Sequence, residues 1–271
     1  MTYRVLSVEQ LFAAGAAAGP VLGLETGSGS ASIGLVSTGH VIASLSRPVK
    51  SHGADLPILV GELLREAKIE IRDLSAIAIG TGPGSFTGLR VGLSYAKGLA
   101  VGANIPIVGI PSLDAIALCG STSPLAHAGV QICPVLDARK GEVYTSLYVV
   151  VADALEKILG DLVVPLDEFA SRITGEVLFV GESKAADAIA SAGSGGGQAI
   201  VVGAAGFSLR GSFVAALGAA RVVQDEVDEV ATLEPLYVRA PEASVKSTAV
   251  NPGEGTNGTS RGRVDPSACG S

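Results

Sequence analysis

The sequence predicts an α/β chain made of two similar lobes, each a strand-rich sheet with helices packed against it. Three observations predict it. Short apolar runs that end in Gly- and Ser-rich turns alternate with stretches of helical periodicity. Their order in the first half is strand, strand, strand, helix, strand, helix, strand. A second round opens near Gln131, and its first strand ends in acidic Asp137, as the first strand of the first round ends in acidic Glu25.

Taken in order, Val21 to Thr26 is an apolar strand followed by a turn at Gly27 to Ser30. Ala31 to Val36 and His40 to Leu45 are two further strands, joined by Ser37-Thr38-Gly39. A helix is predicted from about Ala54 to Ala67, with Leu56, Leu59, Val60, Leu63 and Ala67 on one face and Pro57 tolerated in its first turn. Ser75 to Gly80 is a buried strand. The Gly-rich loop after it opens a helix from Gly88 to Val101, and Ile107 to Ile110 is again a strand. This order is that of a ribonuclease-H-like lobe. Gln131 to Leu136, a turn at Ala138 to Gly141 and a strand at Glu142 to Val151 begin the second round. The lobes are therefore expected at 21–112 and 113–243, the latter including a closing segment, with an N-terminal extension at 1–20. The tail at 244–271 is rich in Gly, Ser, Thr, Asn and Pro; it is expected to be disordered, because it cannot bury enough apolar surface to offset its ordering cost.

Composition narrows the function. Hydrophobic residues make up 48% of the 271, but only 4% are aromatic and none is Trp, so the core must be built from Ala, Val, Ile and Leu. The 36 glycines imply tight turns and close backbone packing. A net charge of −7, with no Lys/Arg run longer than two, argues against a free-standing nucleic-acid-binding domain. If the protein serves RNA chemistry, another chain is expected to hold the RNA. No stretch approaches the roughly 20 consecutive apolar residues of a membrane span. Arg4 and Glu9 break up the first twenty residues, so a secretory signal is not expected and a cytoplasmic location is. Cys119, Cys133 and Cys269 match neither a metal pair nor a disulfide framework; the first two read as small apolar fillers, and Cys269 as an exposed thiol in the tail.

The sharpest motif is Gly80-Thr81-Gly82-Pro83-Gly84-Ser85-Phe86-Thr87-Gly88-Leu89-Arg90. A strand running through glycines into a helix leaves backbone N–H groups where an anion could sit, which makes Glu25, Gly82, Gly84 and Ser85 weak candidates for a nucleotide or magnesium–phosphate site. The specific nucleotide motifs fail: no Lys follows the glycines as a P-loop needs, and Thr87 stands where a dinucleotide fingerprint needs Gly. A tight turn that lets helix and strand pack closely explains the same residues. The following helix carries Gly88, Gly92, Ala96 and Ala100 at four-residue spacing, flanked by Leu89, Leu93 and Lys97; packing within the lobe and a subunit interface both account for this stripe. Histidines are only His40, His52 and His127, and no pair stands at metal-ligand spacing on a helix, so no metal site is expected. Asp137, Arg139, Lys140 and Glu142 cluster at a turn that is either a ligand site in the cleft or a solvated hairpin tip.

These segments resemble a known family. "VLGLETGSGSASIGLV", "SHGADLPILVGELLREA", "LSAIAIGTGPGSFTGLRVGLSYAKGLA", "IPIVGIPSLDAIA", "PVLDARKGEVY" and "EPLYVRAPEA" are similar, in order, to segments of the TsaB (YeaZ) family, over about Val21 to Lys246. The resemblance implies the two-lobed actin/Hsp70/sugar-kinase superfold. It also implies a non-catalytic part in transferring a threonylcarbamoyl group to the adenosine beside the anticodon of certain tRNAs. Implied partners are the catalytic paralogue TsaD and the ATPase TsaE, with no cofactor of the chain's own. The implied docking surface is the helix pair of the first lobe. Here that places Leu56, Leu59 and Leu63 of the first helix, and Gly88, Leu89, Gly92, Leu93 and Ala96 of the second, at the interface. Pairing with a second copy in the partner's absence stays open. The sequence departs from the family at Glu25-Thr26-Gly27, where Asp followed by Thr-Ser is commoner, and in its N-terminal extension and polar tail. Two other classes compete: an independent kinase or ATPase of the same superfold, which would use Glu25 and the glycine loop, and a metallopeptidase, which lacks the ligand pair.

Overall fold

The computed structural model describes residues 3–5, 19–49, 51–152, 154–165, 168–169, 176–181, 199–202 and 210–238. The tail expected at 244–271, with Cys269, lies outside them. The first sheet is formed by β2 (Val21–Glu25), β3 (Ser30–Ser37), β4 (His40–Pro48), β5 (Ala76–Gly82) and β6 (Ile107–Pro111), in the order β4-β3-β2-β5-β6. The pairs β2/β3 and β3/β4 are antiparallel, and β2/β5 and β5/β6 are parallel. Strand β2 is central and buried on both faces, so it reads as an unbroken apolar run rather than an alternating one.

Alternate side chains feed two cores. Leu22, Leu24, Ile33, Leu35, Ile77 and Ile79 meet helices α1 (His52–Ala67) and α2 (Phe86–Ala103). Val21, Val36, Ala76, Ala78, Val108 and Ile110 meet α3 (Ser112–Ser121) and α4 (Arg210–Val223) on the other face. Helix α1 starts earlier than its periodicity predicts. Its N-cap is Ser51, whose N–H donates to Asp55 Oδ2 at 3.2 Å, so Pro57 lies beyond the first turn, on an exposed position. Helix α2 likewise starts at Phe86, capped by Ser85, and runs on to a left-handed Asn104.

The second sheet repeats the plan. Strands β7 (Gln131–Arg139), β8 (Glu142–Val151), β9 (Ala154–Pro165), β10 (Val177–Gly181) and β11 (Ala199–Val202) follow the order β9-β8-β7-β10-β11, with the same antiparallel and parallel pairings. Two such sheets are the ribonuclease-H-like lobes of the actin/Hsp70/sugar-kinase superfold that the sequence predicts. Strand β1 (Tyr3–Val5), inside the segment read as an extension, adds an antiparallel edge to β9, with Tyr3 in register with Lys157.

Helix α3 carries the chain from one sheet to the other and is buried on every residue from 112 to 120. It therefore shows no polar stripe that periodicity could detect. One continuous core runs from Val21 and Ala78 of the first sheet through Leu113 and Ile116 of α3 to Ile132, Tyr148 and Leu178 of the second. Helix α4 and the segment after it pack back on the first sheet. The Cα trace of residue 228 bridges antiparallel to Ile107, Asp228 Oδ2 accepts the Gly109 N–H at 2.8 Å, and the Leu236 N–H donates to Thr81 O at 2.8 Å. Hydrogen bonds to β5 and β6, rather than local propensity, hold this closing segment.

Candidate functional site

The glycine loop leaves the end of β5 beside the end of β2. Glu25 is 2% exposed; its Oε1 accepts the Gly27 N–H at 2.7 Å, and its Oε2 is buried without a hydrogen-bond partner. That oxygen occupies the place of a missing side chain: a Cβ on Gly80 would lie 2.1 Å from Oε2 and 3.0 Å from Ser112 Oγ. Gly84 is bare for a similar reason, since a Cβ there would stand 2.4 Å from Gly27 O. The Ser85 N–H donates to Gly27 O at 2.7 Å, the Gly82 N–H donates to Ser112 Oγ at 3.0 Å, and Ser85 Oγ accepts the Gly88 N–H at 3.4 Å.

The N–H groups of Gly27, Gly82 and Ser85, which a phosphate would need, are therefore spent inside the fold. Of the sequence candidates, Glu25, Gly82, Gly84 and Ser85 do come together, but as a closed joint between two strands and a helix. The β2–β3 turn is locked from the far side as well: Arg210, 1% exposed at the start of α4, donates from Nη2 to Ser28 Oγ at 2.8 Å and to Ser30 Oγ and O at 3.1 Å each. Among the described residues no three His, Cys, Asp or Glu side chains gather to hold a metal ion. His40 lies exposed on edge strand β4, and His127 is exposed beside Glu176 at 3.4 Å.

The cluster at the β7–β8 turn is a solvent-facing hairpin tip. Asp137 Oδ1 accepts the Arg139 N–H at 2.7 Å, and Arg139, Lys140 and Gly141 follow one another in the left-handed region at φ 66°, 55° and 78°. Asp137, Arg139 and Lys140 are exposed.

The structure corrects the interface residues expected on the two helices. Leu56, Leu59 and Leu63 are 0–4% exposed, Leu89, Leu93 and Ala96 are 0–6% exposed, and Gly88 and Gly92 are buried. All of them face the chain's own sheet. The first two residues of the small-residue stripe make room for Thr26, just after β2: a Cβ on Gly88 would stand 2.2 Å from Thr26 O, and one on Gly92 would stand 2.1 Å from Thr26 Oγ1. Thr26 Oγ1 in turn donates to Gly88 O at 2.9 Å. The outward face is carried by other residues. On α1, Ile58 is 59% exposed, and on α2, Val101 is 68% exposed. A Cβ on Gly61, Gly98 or Gly102 would meet nothing within 4 Å.

One polar cluster escaped sequence reading altogether. Lys157 of β9, 4% exposed, lies 2.8 Å from Asp114 of α3 and 2.5 Å from Asp161, and Asp114 also accepts the Tyr148 hydroxyl. Burial pulls the Lys157 pKa down, but the flanking Asp114 and Asp161 carboxylates outweigh it, so it stands above the usual lysine value. Burial raises the Asp161 pKa, against the opposing pull of Lys157. Nothing in the spacing of residues 114, 148, 157 and 161 foretells that they meet. The thiols are quieter. Burial pushes Cys119 and Cys133 each up to about 12, so at neutral pH both stay protonated. With Ellman's reagent, neither is expected to react in the native protein, and both are expected to react once it is unfolded; rapid native labelling of either would contradict the burial.

Comparison with known proteins places this architecture. The family model described as TsaD, tRNA N6-adenosine threonylcarbamoyltransferase, matches residues 46–248. The tRNA threonylcarbamoyladenosine biosynthesis protein TsaB of Bacillus subtilis is 32% identical over 230 residues, 83% of this chain and 96% of that protein. The Escherichia coli protein of the same name is 32% identical over 128 residues, 47% of this chain and 54% of its own length. In fold, the structure of YeaZ from Pseudomonas aeruginosa superposes with a TM-score of 0.65 at 22% identity, covering 81% of this chain and 99% of that one. On these matches and the two-lobed topology, the chain belongs to the TsaB (YeaZ) family, within the reach of the TsaD family model.

Proposed function

We propose that this chain is the non-catalytic subunit of a cytoplasmic complex that transfers a threonylcarbamoyl group to N6 of the adenosine next to the anticodon, in tRNAs reading codons that begin with A. In this reading it binds and activates a TsaD-like catalytic paralogue, with a TsaE-like ATPase as a further member, and tRNA meets it only through the complex. Family membership supports the pathway. The observation that carries the non-catalytic part is the closed glycine loop: the Gly27, Gly82 and Ser85 N–H groups are donated inside the fold, and the space beside Gly84 is filled by Gly27. A loop so engaged is a structural joint. Among the described residues no helix is long and apolar enough to cross a membrane, which is compatible with the cytoplasmic setting.

The docking surface of this reading is the outward face of α1 and α2, where Ile58, Val101 and the bare backbones of Gly61, Gly98 and Gly102 would let a partner's helices approach closely. The test is threonylcarbamoyl transfer to tRNA in a mixture reconstituted from the paralogue, the ATPase and the enzyme supplying the activated group, with and without this chain. Product is expected only when the chain is added, and none from the chain alone. Full product without it would overturn the reading. Size-exclusion chromatography of the chain alone and with the paralogue would show whether a second copy takes the same surface.

A further inference from the structure

The N-terminal turn of α2 carries an arginine that is held in place yet has work left over. The Arg90 guanidinium carbon stacks 3.8 Å from the centroid of the Phe86 ring, and its Nε donates to the Tyr237 hydroxyl at 2.9 Å. The two rings themselves lie 5.3 Å apart, tilted by 34°. Tyr237 is fixed in turn by the closing segment, through the Leu236 N–H on Thr81 O and the Lys97 ammonium 3.4 Å from Ala231 O. The guanidinium is thus oriented by two distant parts of the chain, while its terminal Nη groups have no partner among the described residues. Ordering an exposed arginine costs about 2 kcal/mol of rotamer freedom. Here folding has met that cost for a fork that no described residue of the chain uses.

We propose that the Arg90 fork is a carboxylate-binding anchor: it takes an Asp or Glu side chain of the TsaD-like partner, flanked there by apolar residues. The proposal rests on the subunit reading above and specifies one contact within its docking surface. Three observations favour this occupant. Thr87, Arg90, Ser94, Gly98 and Val101 are all exposed and recur at helical spacing, so Arg90 heads the same outward stripe of α2. The rim of the fork is apolar, with Phe86, Leu236 and Tyr237 36–41% exposed. An arginine set among exposed aromatic side chains is the composition of interface anchors. A planar guanidinium with two free amino groups matches a carboxylate by two parallel hydrogen bonds, which a lysine cannot reproduce. A phosphate has the same chemistry, but nucleic-acid binding relies on several cations together. This chain has a net charge of −7, so the protein carboxylate is favoured.

The experiment is calorimetric titration of the full chain with the TsaD-like paralogue, for wild type, Arg90→Lys and Tyr237→Phe, with melting curves on all three. Arg90→Lys keeps the charge and removes the fork; Tyr237→Phe keeps the ring and frees Nε. Wild-type melting with a Kd raised about ten-fold or more for Arg90→Lys, and by a smaller factor for Tyr237→Phe, supports the anchor. An unchanged Kd for Arg90→Lys overturns it while leaving the subunit reading intact. Should Arg90→Lys not fold, an unchanged Kd for Tyr237→Phe overturns it equally. No wild-type binding removes both readings at once. Undisturbed assembly with weakened tRNA binding by the assembled complex would overturn the carboxylate in favour of a phosphate.

Discussion

Gly92→Leu is expected to leave no native first lobe. A leucine there must push against Thr26, whose Oγ1 would be 2.1 Å and whose Cβ and Cγ2 would each be 3.0 Å from the new Cβ alone. Thr26 cannot swing away without giving up its bond to Gly88 O, and β2 is the central strand of its sheet. Gly92→Ala is the sharper test, because two principles point in opposite directions. Helix propensity favours alanine by about 1 kcal/mol, whereas overpacking a close contact costs about 1–3 kcal/mol. The geometry decides for the second, so Gly92→Ala is expected to lower stability. Gly98→Ala, where the new Cβ meets nothing within 4 Å, is expected to raise it by about 0.5–1 kcal/mol. Urea unfolding of the three variants reads this directly. A Gly92→Ala protein as stable as Gly98→Ala would show that the stripe does not bear on Thr26.

Lys157→Met is expected to be the most damaging polar substitution. The methionine fills much of the same volume but leaves Asp114 and Asp161 buried together without their shared cation. Breaking a buried pair in this way costs about 3–5 kcal/mol, which for a unit of this size lowers Tm by roughly 10 °C. The pH dependence has a definite sign. The Lys157 pKa is raised in the fold, so its contribution is complete below the ordinary lysine value of about 10.4 and is lost only as pH climbs through the higher folded value. The wild-type contribution is therefore flat from mildly acidic to mildly alkaline pH. Asp161 behaves oppositely to a surface carboxylate: burial raises its pKa, and without Lys157 it would rise further. The folded variant then takes up a proton more readily than the unfolded one, so it regains stability as pH falls into the acid range, and the gap from wild type narrows. Denaturant unfolding at neutral and mildly acidic pH measures that gap. A gap under about 1 kcal/mol, or one that widens in acid, would show that these groups are not a desolvated cluster.

What the sequence by itself determined is everything that a local pattern can carry. The apolar runs at β2, β3, β5 and β6 and the periodicities of α1 and α2 were legible because each element's buried side is written into its own residues. Acidic Glu25 and Asp137, at or near the end of the first strand of each round, mark the second lobe in the sequence itself. Helix α3, buried all round, strands β9 to β11 and helix α4 were not legible, since their residues match neither template without the neighbours that cover them.

The candidate site was half legible, for the same reason. The glycines of the loop and stripe declared that something approaches closely, and the spacing could not say whether that something was a phosphate, a partner helix or the chain itself. Only the tertiary structure decided it, by bringing Gly27, Thr26 and Glu25 within 2–3 Å of the missing side chains of Gly84, Gly92 and Gly80. It alone also brought Lys157 to Asp114 and Tyr237 to Arg90, pairs 43 and 147 residues apart. A glycine records the absence of a side chain, and a charge records a need for a partner. Neither names its neighbour, because contacts between distant residues are settled by how the sheets and helices pack.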